Sequence, residues 1–296
     1  MVNKLKLATA MMLYGTIACI VSFMTFPSGM ISLCRGIIGA GVVVLICVAN
    51  KISAPWEVIR KNLKYMVIAG ILAAISWISV LEAYRATTIA VATLCYYTAP
   101  TYVMLLSPVF LKEKMTWKKL ICVAVVLLGM VFVSGVVGDG GGATVKGMLL
   151  GLLAAVSYAA VMIIVKFIDG IPPLLNTAIQ LTATSLTVIP YALLTVDFSA
   201  LEFSARNIIL VVILGVFHTG LTSHFFFTSV QKLPGQTAAI YTYIDPILAL
   251  LLSVVVVRQV ITPWQILGSI LVLGAAVVSE VMSSREKDLT AKTENA

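Results

Sequence analysis

Long apolar runs separated by short polar interruptions dominate the chain. Runs near the length that crosses a bilayer, about 20 residues, fall at roughly 5–26, 30–50, 64–84, 87–111, 117–137, 146–168, 173–196, 206–230, 235–257 and 263–282. This pattern predicts an all-α integral membrane protein with ten transmembrane helices, since a chain in lipid must satisfy its backbone polar groups internally. The connections are short and leave no room for a separate soluble domain. The polar ending "SSREKDLTAKTENA" predicts a disordered cytoplasmic tail over 283–296. One detail breaks the pattern: Asp245 and Pro246 interrupt the ninth run near its middle.

Composition agrees with that reading. Hydrophobic residues make up 60% and charged residues 11% of the chain, against about a quarter charged in soluble domains. The net charge of +8 describes topology. With the N-terminus inside, Lys4, Lys6, Lys51, Arg60, Lys61, Lys64, Lys112, Lys118 and Lys232 fall on the inner side, and few basic residues fall outside. The positive-inside rule then predicts a multi-pass protein of the plasma membrane with both termini cytoplasmic. The basic residues flank spans and form no continuous patch, so no nucleic-acid partner is expected. The first run exceeds a signal-peptide core and lacks a cleavage site, so it is expected to be retained. Cys19, Cys34, Cys47, Cys95 and Cys122 all fall in spans without a CxxC pair; they read as packing residues, with no metal and no cofactor expected.

An internal repeat organises the runs. A shift of 146 positions sets "ATLCYYTAPTYVMLLSPVFLKEKMT" over "AAIYTYIDPILALLLSVVVVRQVIT", so that Tyr97 meets Tyr243, Pro100 meets Pro246 and Glu113 meets Gln259. With the offset reduced by one, Pro27 overlies Pro172 and Arg35 overlies Gln180. Five spans per half is an odd number, which predicts two inverted five-helix repeats, 1–137 and 146–282, joined by the Gly-rich connection 138–145. Inverted repeats suit a secondary transporter, because two pseudo-equivalent halves can exchange conformations around one central site. Pro100 and Pro246 predict a kink or break in the fourth and ninth spans, tolerated only beside protein or a watery cavity.

The ten-span layout, the "AP" and "DP" pairs, "LKEKMT" with Glu113, and Gly129 resemble the EamA-type drug/metabolite transporter family. Gln259 departs from it, standing where that family usually has Glu. The resemblance implies carriage of metabolites, often amino acids or drug-like amines, commonly outward.

Candidate functional residues follow from depth and face. A carboxylate at the helix centre costs about 2.5–3.5 kcal/mol on insertion scales, so Asp245 is expected to face the bundle interior. Two roles stay open and compatible there: a proton-coupling carboxylate, and a cap for a half-helix whose first turn holds Pro246. Thr93, Tyr97 and Pro100 share a face of the fourth span, and Tyr241 lies one turn before Asp245 with Thr242 beside it. Tyr96, Tyr97, Tyr241, Tyr243 and Trp77 could cage an amine by cation–π contact, or serve as packing. Arg35, Glu82 and Arg85 suggest an outer gate, with an Arg35–Glu82 ion pair as one reading and Arg85 snorkelling or pairing with Glu82 as the other. His218 and Thr222 on the eighth span complete the candidate solute-binding set, though a histidine there is often a packing residue; His224 shares no face with His218.

The expected function is therefore secondary active transport of a small solute (an amino acid, amine or drug-like molecule), with export as the expected direction and protons as an open coupling ion. The expected partners are that solute and the bilayer, and the protein is expected as monomer or homodimer. A membrane-embedded enzyme or assembly protein without transport activity is the alternative.

Overall fold

The computed structural model describes residues 2–110, 117–133, 143–230 and 244–294, and every element among them is helical. In chain order these are α1 (Val2–Ser22), α2 (Ser28–Ala49), α3 (Trp56–Ala86), α4 (Ile89–Tyr96), α5 (Ala99–Phe110), α6 (Trp117–Val133), α7 (Val145–Ile164) and α8 (Pro173–Thr195). They continue with α9 (Ala205–Ile213), a π-helical stretch over Leu214–Leu221, α10 (Thr222–Val230), α11 (Ile244–Val255) and α12 (Pro263–Glu294). Among the described residues seven helical segments are long and apolar enough to cross a membrane, α4 with α5 and α9 through α10 each counting as one. Shorter apolar stretches lie in α6 and α12, at 120–132 and 263–275. The chain is thus a multi-pass helical membrane protein. Of the expected ninth span, 235–243 lies outside the described residues.

Helix starts follow local chemistry. Pro27, Pro55 and Pro172 occupy the N-cap positions of α2, α3 and α8, where no backbone donor is needed. Pro27 and Pro172 are the pair superposed by the sequence repeat, and they start equivalent helices. Thr88, Thr144 and Ser204 cap α4, α7 and α9, each accepting from a backbone N–H three residues on. Thr144 also donates its hydroxyl to the Ala86 carbonyl and its N–H to Thr87 Oγ1 at 3.3 Å, which pins the start of α7 to the turn between α3 and α4.

Two sequence expectations are corrected. The polar ending does not stand apart as an irregular tail: α12 runs on through Glu294, consistent with good helix formers and no Gly or Pro after Gly274. The third span begins at Trp56 instead of residue 64, because "RKNLKY" continues a helix that Pro55 starts.

The packing between the two halves is reciprocal. Besides α2 on α8 and α6 on α12, α3 packs on α7 as α10 packs on α1. Likewise α3 packs on α8 as the π-helical stretch packs on α2, and α5 on α7 as α11 on α1. Under the sequence repeat, each of these contacts has its counterpart. Small residues set the close approaches, as expected where lipid gives helices no hydrophobic reason to associate. A Cβ on Gly15 of α1 would lie 2.7 Å from the Asp245 carbonyl oxygen of α11, and one on Gly151 of α7 would lie 2.7 Å from Cys95 Cβ of α4.

Candidate functional site

The fourth span is interrupted at Tyr97 and Thr98, between α4 and α5. Pro100 therefore lies in the first turn of α5, where its missing donor costs nothing. Pro246 has the matching place in the first turn of α11, one residue after Asp245, which is itself a first-turn acid and not the residue preceding the helix. Pro100 thus starts a half-helix, and the interruption falls before it; the residues before Ile244 lie outside the described residues. At this junction the Tyr97 hydroxyl faces the Asp245 carboxylate. The contact joins the repeat-equivalent proline segments of the two halves.

Tyrosines from several helices converge on that pair. Tyr96 stacks edge-on against Tyr97 with centroids 5.5 Å apart, and against Tyr158 of α7 at 5.6 Å. Tyr14 of α1, Tyr84 of α3, Tyr96 and Tyr158 all lie within electrostatic range of Asp245. The Tyr84 hydroxyl faces Thr93, which is buried on α4. Arg35 of α2 lies on the other flank, within range of Tyr14, Tyr84 and Tyr96. It is only 6% exposed, its guanidinium lies 4.2 Å over the Trp77 ring, and its Nε donates to Thr219 Oγ1 at 3.4 Å. The result is a buried cluster of aromatic hydroxyls with one carboxylate and one guanidinium beside it.

The π-helical stretch forms the cluster's other wall. Thr219 Oγ1 donates to the Leu214 carbonyl at 3.0 Å and Thr222 Oγ1 to the Phe217 carbonyl at 2.7 Å, each five residues back. Such back-bonding holds the wide turn open. Thr222 is fully buried and committed to this role. Ser223 donates to the Thr219 carbonyl and faces the Tyr14 hydroxyl. His218 is buried, with Nε2 2.8 Å from Thr16 Oγ1 and Nδ1 3.2 Å from the Ile213 carbonyl. His224 lies toward Lys6, at the opposite end of α1 from Ser22.

The expected Arg35–Glu82 pair does not form. Arg35 starts seven residues into α2 and turns to Trp77 and Thr219, while Glu82 lies toward Tyr191 of α8. Arg85 instead donates to the Phe26 carbonyl, tying the end of α3 to the turn before α2. A cavity of about 210 Å³ lined by Ser22, Tyr84, Arg85 and Gln259 leads from this end toward Tyr84. There Gln259 Oε1 accepts from the Ile89 N–H at 3.0 Å, so an uncharged amide satisfies the start of α4. Gln259→Ala will lower thermal stability by roughly 0.5–1.5 kcal/mol in a detergent melt, and Gln259→Glu will restore it. A wider cavity of about 580 Å³ lies elsewhere, in an apolar groove between α2, α3 and α8 beside Lys51, and holds none of the expected site residues.

Tyr241, Thr242 and Tyr243 lie outside the described residues. Of the rest, the structure brings Trp77, Thr93, Tyr96, Tyr97, Asp245, Arg35, His218 and Thr222 around one region, with Pro100 and Pro246 in the flanking helix starts. Sequence reasoning missed Tyr14, Tyr84 and Tyr158. Tyr84 had a signal, since it stands two turns after Trp77 on the same helical face.

A multi-pass helical membrane protein enclosing a buried, tyrosine-rich polar cluster is the class this architecture defines. The chain belongs to the EamA-like transporter family, whose profile matches residues 5–135 and 145–280. The Bacillus subtilis (strain 168) protein named Uncharacterized transporter YxxF is 25% identical over 236 residues, covering 79% of this chain and 75% of its own. Uncharacterized transporter YvbV of the same organism is 26% identical over 189 residues, covering 64% of this chain and 62% of its own. A solved structure described as "Crystal structure of protein" matches with a TM-score of 0.64 at 20% identity, over 95% of this chain and 98% of that one; this is a likeness of fold.

Proposed function

We propose that this protein is a secondary active transporter that carries a small organic solute by alternating access around the tyrosine cluster, with protons as its coupling ion. The observation that carries the reading is the contact of the Tyr97 hydroxyl with the Asp245 carboxylate, each close to the repeat-paired proline of its half. A carboxylate inside a membrane protein is costly unless it has a partner and a task, and this one sits where the repeats meet. The reciprocal helix contacts support two inverted five-helix repeats, with that pair at their shared centre. In the orientation expected from the basic residues, both termini are cytoplasmic and the vestibule at Arg85 opens outward. Asp245 and the tyrosine faces suit the cationic amine of a solute.

Flux of a labelled metabolite panel into liposomes containing the purified protein tests this reading. Solute-dependent flux is expected; its absence across the panel with a folded protein would sink it. Tyr97→Ala will weaken flux at least about tenfold, since it removes both the Asp245 partner and an aromatic wall, equivalent to about 1.4 kcal/mol. Tyr14 is no control, because it belongs to the cluster. Tyr65→Ala is one: Tyr65 stacks on Phe167, away from the cluster, and its loss should leave flux near the parent's.

A further inference from the structure

Resting on the transporter reading, we infer that Arg35 and His218 form a coupled site that binds a carboxylate group of the solute together with one proton. The first half of the argument is the state of Arg35. It is buried, yet its only polar contact among the described residues is the long 3.4 Å bond from Nε to Thr219, and its guanidinium face rests on Trp77. No carboxylate of the described residues pairs with it. The planar fork of the guanidinium matches the two oxygens of a carboxylate, and a buried cation left without a counter-ion is a strong attractor for one.

The second half is hydrogen-bond accounting at His218, which directly precedes Thr219. Its Nδ1 faces the Ile213 carbonyl, an acceptor only, so Nδ1 carries a hydrogen. Its Nε2 faces Thr16 Oγ1 at 2.8 Å, and the same hydroxyl lies 2.8 Å from the Leu13 carbonyl. With a neutral ring, the Thr16 hydroxyl donates to Nε2. With a protonated ring, Nε2 donates to Thr16 Oγ1 and the hydroxyl swings to Leu13. Both states are satisfied by turning one hydroxyl, with no heavy atom moved, so the ring can take up and release a proton in place.

Electrostatics links the halves. The charged group facing His218 is Arg35 from α2. From α1 come the Thr16 hydroxyl and, in range of Arg35, Tyr14. Of the other elements packed on the π-helical stretch, α9 carries Arg206, which lies over Phe23, and α10 carries His224, turned toward Lys6. Arg35 and an imidazolium repel, and a carboxylate docked on Arg35 removes that repulsion. Anion and proton therefore bind together, each strengthening the other by the same factor.

The test uses the full chain in detergent with Trp56, Trp117 and Trp264 replaced by Phe, leaving Trp77 as the reporter at 4.2 Å from Arg35. Benzoate, benzamide and chloride are titrated between about pH 6 and 8. Benzoate is expected to change Trp77 fluorescence saturably, while benzamide and chloride do not. Its apparent affinity should fall as pH rises, by up to about tenfold per pH unit, the limit for one linked proton. Proton uptake on benzoate addition should be seen in weak buffer. Arg35→Gln should abolish the response, Arg35→Lys should keep part of it, and His218→Gln should keep binding but flatten the pH dependence. Equal responses to benzoate and benzamide or chloride, no response to any, or an unchanged pH slope in His218→Gln would overturn the inference. Proton uptake from benzoate against benzamide is also read on the unaltered protein, which needs no variant to fold. Because binding is read without flux, failure here and failure of the liposome experiment are told apart.

Discussion

Asp245→Asn will yield a folded protein that exchanges solute across the membrane but no longer accumulates it under an imposed pH gradient. Asparagine keeps the shape of the side chain and can still accept from the Tyr97 hydroxyl. It cannot lose or gain the proton, so protonation no longer biases one conformation over the other. Coupling free energies of ~1–3 kcal/mol translate to a loss of roughly 5–150-fold in the coupled quantity, read here as the accumulation ratio in liposomes with and without the gradient. Counterflow of labelled against unlabelled solute should persist. An Asn variant that concentrates solute as well as the parent would reduce Asp245 to a first-turn acid at the start of α11.

Gly15→Val will cost about 1–3 kcal/mol of stability and more activity than Gly41→Ala. The Gly15 position has no room: its Cβ would lie 2.7 Å from a backbone oxygen of α11 and 2.9 Å from Leu248 Cβ. Backbone cannot step aside as a flexible side chain can, so α1 and α11 must separate, and the backbone oxygen pushed away is that of Asp245. The Tyr97 contact then lengthens even though neither partner is changed. Gly41 meets nothing within 4 Å and serves as the comparison. Thermal melts of the two variants beside liposome flux give the answer; equal behaviour would mean that the crossing of α1 and α11 is compliant.

How far the sequence foretold this can be judged from particular residues. Helix positions were legible because apolar runs near bilayer length leave little alternative, and the repeat-paired Pro27 and Pro172 stand at two of the starts. Where α3 begins was not legible, since hydropathy falls at Arg60 and Lys61 while helix propensity does not. Pro100 and Pro246 pointed to the right region, but the periodic pattern of one helix cannot say which face meets which neighbour. Tyr14 and Tyr158 each stand alone in an apolar run, and only tertiary packing brings them near Asp245. Arg35 was read by depth as a partner for Glu82; the rotation of α2 about its axis, absent from any depth argument, decides for Trp77.

The π-helical stretch also has a meaning in the grammar of insertions and deletions. Its rings close one residue later than those of an α-helix, so it amounts to one extra letter carried inside a continuous helix. Deleting a residue between Leu214 and Leu221 would allow the rings to shorten and would turn every side chain beyond by about 100° relative to those before it. Ser223 would leave the Tyr14 hydroxyl while the composition of the helix hardly changed. The number of residues in this stretch is thus constrained as tightly as their identity, and a one-position gap there in a related chain would mark a rebuilt site.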